Sequence, residues 1–173
     1  KNFKPTRLSP THNWAKENGA SFVESGLWLR AEWYAKQNET KWRETVDREV
    51  LSVRKSVGFC DVSTLGKIDI QGRDAQEFIN KIYSNGFAKL PVGKVRYGLM
   101  LREDGLVMDD GTTARMGEDH FIMTTTTMNA ESVYRHLEFC HQCLWPEMDV
   151  RLISTTDAWA QIAIAGPKSR KIM

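Results

Sequence analysis

Long apolar runs are missing from the chain. None of its 173 residues sits in anything near the roughly 18–20 consecutive apolar side chains that a membrane-crossing helix needs, so no membrane partner is expected. Cysteine is scarce: three, an odd number, argue against a disulfide framework and fit a reducing, cytoplasmic setting. An excess of one charge is also absent. Twenty-four lysines and arginines face 22 acidic residues, a net charge of +2, which leaves no basic field for nucleic acid. Lys1 to Pro10 hold no apolar signal segment, and the first residue is not methionine, which suits an excised piece. No Gly-x-Gly-x-x-Gly, Walker-type or Gly-x-Ser-x-Gly pattern occurs, so a dinucleotide cradle, a P-loop and a nucleophile elbow are not offered. The four histidines show no ligand spacing. Cys140-x-x-Cys143 is a single pair where a structural zinc takes four ligands, so no metal site is expected.

What remains is an ordinary globular mixture, long enough for one core with an appended segment. His12 to Asn18 reads as a short helix. Ser21 to Tyr34 is aromatic-rich and without a sustained period, hence extended or looped. Its Trp28, Trp33 and Tyr34 are core residues or, alternatively, a wall for a flat ligand. Trp42, Val46, Val50, Val53 and Val57 recur at helical spacing, which predicts an amphipathic helix stopped by Gly58. Short strands follow at 59–62 and 66–71. Residues 72–83 form a second helix, with Asp74 and Glu77 spaced as a capping box and Ala75, Phe78, Ile79 and Ile82 on one face. Strands continue through 112–116 and 120–127. Asn129 is placed to cap a third helix with Val133, Leu137, Cys140 and Leu144 in a stripe, and Pro146 stops it. The last strands are 150–153 and 158–165, with a helix starting at Gly166-Pro167. The order predicts an α+β fold: an antiparallel sheet with helices packed on one face, a ferredoxin-like βαββαβ core. The expected division is an N-terminal helical and extended segment, 1–60, packing on an α+β subdomain, 61–173.

The stretch from Tyr97 to Asp110 reads as a β-hairpin. Tyr97, Leu99 and Leu101 alternate with Gly98, Met100 and Arg102, and Asp104-Gly105 has the composition of a two-residue type I′ turn. That register sets Leu99 opposite Asp110 and Leu101 opposite Met108. Asp110 then shares the more apolar face with Tyr97, Leu99, Leu101, Leu106 and Met108, while Asp109 takes the other with Met100 and Val107. A carboxylate on an apolar face caps a backbone, pairs with a cation, or does chemistry. Spacing alone favours a structural use.

Three motifs add a resemblance. Gly58-Phe59-Cys60-Asp61-Val62-Ser63-Thr64-Leu65-Gly66-Lys67-Ile68 resembles the "GLFDVSHMGKI" segment of the glycine-cleavage T-protein (aminomethyltransferase) family. Arg102 to Asp110 resembles its "xxxGGIxDD", and Ile162-Ala163-Ile164-Ala165-Gly166-Pro167-Lys168 its "ALQGPKA". Within the family, Tyr97 to Met100, Met108 to Arg115 and Met123 to Thr127 look like the folate-binding part of heterotetrameric sarcosine oxidase α subunits.

The resemblance implies the N-terminal half of a folate-binding aminomethyltransferase domain, with tetrahydrofolate as the ligand and the other subunits of such an oxidase as partners. FAD, FMN and NAD would bind elsewhere in the complex. It implies Asp110 as the catalytic carboxylate, with Asp110, Tyr97, Leu65 and Thr112 at the folate. The implied reaction takes a one-carbon unit from the imine of oxidised sarcosine, giving glycine and 5,10-methylenetetrahydrofolate. Where T-proteins continue "DDLIVY", this chain has Asp110-Gly111-Thr112-Thr113-Ala114, so those contacts do not carry over. A second carboxylate of the family falls beyond Met173, so half a pocket and no independent activity are expected. The competing readings are a non-catalytic folate-binding or subunit-contact module and, against the charge balance, a nucleic-acid binder.

Overall fold

The computed structural model describes residues 7–173; the reading of the first six as polar, irregular chain lies outside them. In chain order the elements are β1 (Arg7–Leu8), α1 (His12–Glu17), β2 (Ala20–Ser25), β3 (Trp28–Tyr34), α2 (Trp42–Lys55), β4 (Gly58–Asp61) and β5 (Gly66–Gln71). There follow α3 (Ala75–Ile82), β6 (Val95–Leu101), β7 (Val107–Gly117), β8 (His120–Thr125), α4 (Ala130–Phe139), β9 (Arg151–Ser154) and β10 (Ile162–Ala165). They fall into two compact units. Leu65–Trp159 form one, and the residues up to Thr64 together with Ala160–Met173 form the other. The expected linear break at 60/61 differs from this grouping because β10 pairs antiparallel with β4 and returns the chain's last residues to the first unit.

In the first unit the aromatic-rich stretch is a hairpin: β2 pairs antiparallel with β3 about Gly26, whose φ is 60°. β1 runs parallel to the start of β3. Trp28 is buried, with the Arg7 guanidinium 4.2 Å from its ring centroid, and Trp33 lies 6.2 Å from Trp42 of α2. Helix α2 ends earlier than its periodicity predicts. Ser56 leaves helical geometry, and Gly58 opens β4 rather than capping the helix. A Cβ on Gly58 would sit 2.5 Å from Val53 Cγ2, so glycine is needed for the strand to pass the helix. Gly166, at φ 117°, crosses the end of α2 with Ser56 O 2.5 Å from its ideal Cβ, and Lys168 N–H donates to that same oxygen. Only a 3-10 turn, Ser169–Lys171, follows where a helix was expected.

The second unit is a five-stranded antiparallel sheet in the order β6-β7-β8-β5-β9. Strands β5, β7, β8 and β9 have the ferredoxin-like arrangement, and β6 extends it at the edge. One face buries Ile68, Ile70, Met100, Phe121 and Met123 against Ala75, Phe78, Ile79 and Ile82 of α3 and Val133 and Leu137 of α4. Each of these side chains larger than alanine, fully buried, contributes roughly 1.5–3 kcal/mol. The predicted helical stripes are therefore the packed ones, except that Leu144 is exposed at the end of a π-helical turn, Cys140–Leu144. The capping box does not form: the Asp74 carboxylate accepts from Asp149 N at 2.8 Å, tying α3 to the approach to β9.

The β6–β7 hairpin keeps the predicted register where it matters and changes it at the tip. Among the described residues no side-chain-bearing residue has positive φ, so the turn is not type I′. Gly105 N–H donates to Arg102 O and Arg102 N–H to Leu106 O, with Gly105 at φ 80°. That is a three-residue loop with a left-handed glycine, and it shifts pairing by one: Leu101 meets Val107, not Met108. A bulge between Met100 and Leu101 restores the count, so Met100 pairs with Asp109 and Leu99 with Asp110. The faces, too, need correction. The helices cover the side with Met100, Asp109 and Thr113, while Tyr97, Leu99, Leu101 and Leu106 lie on the open side and are exposed. The more apolar strip is the uncovered one.

Candidate functional site

On that open face Asp110 and Tyr97 are diagonal neighbours, since Leu99 pairs with Asp110 and Tyr97 with Thr112. The Tyr97 hydroxyl donates to Asp110 Oδ2. This bond and the adjacent negative charges of Asp110 and Asp109 push the Tyr97 phenol above its ordinary value. Leu99 and Leu101, each 38% exposed, continue the face as an apolar strip.

Beside Asp110, strand β7 parts from regular pairing with β8. Their ladder starts only at Thr113↔Met123. One step before it, Thr112 N–H donates to Thr124 Oγ1 at 2.9 Å, Thr124 Oγ1 donates to Thr112 O at 3.0 Å, and the two hydroxyls are 2.9 Å apart. Gly111 makes this approach possible, for a Cβ there would lie 2.0 Å from Thr124 O. The departure from the T-protein pattern at Gly111 thus has a local cause. Asp110, Tyr97, Thr112 and Thr124 form one polar cluster flanked by leucines.

Asp109 belongs to the other face. It is 4% exposed, and its carboxylate accepts from Thr126 N–H at 3.0 Å and from Asn129 Nδ2 at 3.1 Å. The Asn129 side chain, expected to cap α4, is spent on this contact. Beneath the hairpin, Tyr83 is buried and its phenol is pushed up to about 12, mainly by desolvation. Gly98 fits against its ring, with Tyr83 Cδ1 2.8 Å from an ideal Cβ.

Of the residues singled out in the sequence, Asp110, Tyr97 and Thr112 are brought together. Leu65 precedes β5, which lies across β8 from β7. Thr124, Thr126 and Asn129 were missed as contributors. The run Met123-Thr124-Thr125-Thr126-Thr127 was the one available signal, since Thr124 and Thr125 end β8 on opposite faces and Thr126 follows directly. A separate cleft of about 1010 Å³ lies within the first unit, lined by Trp14, Tyr34, Val53, Phe59 and Asp61. Of the three candidate wall aromatics only Tyr34 lines it. Among the described residues no group of three or more histidine, cysteine or acidic side chains is placed to hold a metal ion. Cys140 is buried with His136 Nε2 3.6 Å from its sulfur, and Cys143 is exposed; both are free thiols. No helix among the described residues is long and apolar enough to cross a membrane.

A ferredoxin-like sheet with an added edge strand and helices packed on one face is an architecture shared with a solved aminomethyltransferase. The structure of glycine cleavage system aminomethyltransferase T from Bartonella henselae matches 96% of this chain and 42% of its own, with a TM-score of 0.82 at 23% identity. The family model described as GCVT N-terminal domain matches residues 11–173, and the chain belongs to that family. Sarcosine oxidase subunit alpha of Rhizobium meliloti is 63% identical over 99% of this chain and 17% of its own length. The subunit alpha of Corynebacterium sp. strain P-1 is 48% identical over 98% and 17%. Aminomethyltransferase of Thermotoga neapolitana is 30% identical over 90% and 39%. The chain therefore spans about a sixth of the sarcosine oxidase subunits it matches and about two fifths of the aminomethyltransferase.

Proposed function

We propose that the chain is the tetrahydrofolate-binding module of a sarcosine oxidase α subunit, acting with the other subunits of that complex. It would help transfer the one-carbon unit of oxidised sarcosine, giving glycine and 5,10-methylenetetrahydrofolate. Similarity to both sarcosine oxidase subunits and aminomethyltransferases supports the class. The observation that carries the site is the Asp110 carboxylate, held by the Tyr97 hydroxyl on the helix-free face between leucines and a threonine pair. That surface fits a reduced pteridine: a flat ring needs apolar contact on its face and hydrogen-bonding groups at its edge.

Bound there, tetrahydrofolate supplies a nucleophilic amine. The chain's own residues supply the proton chemistry and the field. Asp110 accepts the proton that an attacking amine must lose, which is general-base catalysis. Its negative charge also favours the cationic carbon donor once water is excluded. Tyr97 orients the carboxylate by donating to one oxygen. Thr112 and Thr124 offer hydroxyls beside it, and Leu99 and Leu101 offer the apolar contact.

Asp110→Asn keeps shape and removes the base. In the full-length complex it is expected to leave sarcosine oxidation intact and to cut methylenetetrahydrofolate formation by ~100-fold or more, within the range for losing a general base. Wild-type yield from that variant would discard the assignment. A non-catalytic folate-binding module, the second reading, predicts wild-type yield with weakened tetrahydrofolate affinity, so the same variant separates the two.

A further inference from the structure

We infer that Asp109, the first carboxylate of the pair, is a positioning residue that sets where Asp110 stands. The inference rests on the reading of Asp110 given above. From Val107 to Thr112 strand β7 is paired on the β6 side alone, with Met108 left out of the ladder. On the β6 side its register shifts at the bulge between Met100 and Leu101, and on the β8 side the ladder begins only at Thr113↔Met123. A bulge re-aims the side chains that follow it, and it needs something to fix its place. Asp109 lies immediately after the extra residue, Met108.

Its carboxylate accepts from Thr126 N–H at 3.0 Å and from Asn129 Nδ2 at 3.1 Å. The same Asn129 amide lies 3.3 Å from Met108 O. Together these bonds lock the bulge to the turn that leads into α4. The carboxylate is buried beside the N-terminus of α4, with both of its oxygens taken up by these bonds. With the lock released, the bulge can move along the strand. A shift of about 1 Å there is enough to displace the Asp110 carboxylate from its place beside Tyr97.

Two variants separate positioning from mere stability. Asp109→Asn keeps the volume but places an NH₂ group against Thr126 N–H or the Asn129 amide, donor facing donor. Asn129→Ala removes the side-chain partner and leaves the Asp109 charge in place. In the full-length complex both are expected to fold and to oxidise sarcosine normally. Each raises KM for tetrahydrofolate or lowers kcat of the transfer, Asp109→Asn by ~10- to 100-fold, the range of a misplacement near 1 Å. Tyr97 provides the second readout. Its tyrosinate absorbance, assigned by difference against Tyr97→Phe, is expected at lower pH in Asn129→Ala, because a displaced Asp110 removes the hydrogen bond that is the first cause of the raised value while the Asp109 charge is kept.

Folded variants with wild-type kinetics and an unmoved Tyr97 titration overturn the inference. If Asp109→Asn does not fold, Asn129→Ala decides by the same two measurements. If Asp110→Asn transfers normally, the functional reading fails, yet the Tyr97 titration in Asn129→Ala still tests whether Asp109 places Asp110.

Discussion

Gly111 shows how much a single missing side chain decides here. Its Cα runs so close to β8 that a methyl group would overlap Thr124 O, at 2.0 Å. Gly111→Ala must push the strands apart and break the Thr112–Thr124 hydroxyl pair. Overpacking of this kind costs about 1–3 kcal/mol, to be read as a lower urea midpoint at unchanged slope. An alanine variant as stable as wild type would mean that β7 and β8 already have room. The position of Asp110 was readable because strand alternation is local: once the register was chosen, its face followed. That the covering helices would choose the other face was not readable, because the apolar strip lies on the open side. The partners of Asp109 stand 17 and 20 residues downstream, and no local pattern connects them.

At the scale of the element, α2 is held less by its apolar stripe than by an ionic clamp. Only Thr45 of the helix is buried, while Trp42, Val50 and Leu51 remain about half exposed. Glu39, in the loop before the helix, accepts from Arg48, from Lys36 N–H at 2.9 Å and from the Thr45 hydroxyl at 2.7 Å. Arg48 first, and then the Lys36 amide, hold the Glu39 carboxyl down to about 2. A carboxyl depressed in the folded state stabilises it above its unfolded value, near 4.5, and loses that contribution as pH falls toward 2. Asp61 behaves alike. Burial alone would raise its pKa, but hydrogen bonds from Ser63 and Thr11 outweigh this and bring it to about 2. Acid unfolding of wild type should therefore steepen between about pH 4.5 and 2. Glu39→Gln should be less stable at pH 7 and flatter across that window, as thermal melts at several pH values will show. Equal slopes for the two proteins would remove Glu39 from the account. Sequence periodicity found this helix, but it took the stripe as the fastening and overlooked an acid three residues before the helix begins.

Across the whole chain, the two units are stabilised by different means, which predicts where local opening occurs. Leu65–Trp159 hold a continuous core in which Phe78, Phe87, Phe121, Ile70 and Leu137 are fully buried. Among its described residues the other unit fully buries few large apolar side chains. Its β4–β10 ribbon is two strands wide, with all four β10 residues and Phe59 exposed. Two-stranded pairing is marginal in water on its own, and local opening takes the lowest-energy route available. The layered order of the second unit was legible because its helices and the inner strands β5 and β8 each carry a clean apolar face. The ribbon was legible only as two short apolar runs, since pairing across about 100 residues leaves no periodic mark. Hydrogen exchange resolved to single amides should therefore show protection concentrated in β5, β8 and α4, at least ~100-fold above β4 and β10, consistent with openings that span from near zero to the global free energy. The ribbon amides of Phe59 and Ile164 should exchange first, while those of Ile70 and Phe121 report global unfolding. Equal protection of ribbon and sheet would show that burial of side chains does not set the order of opening in this chain.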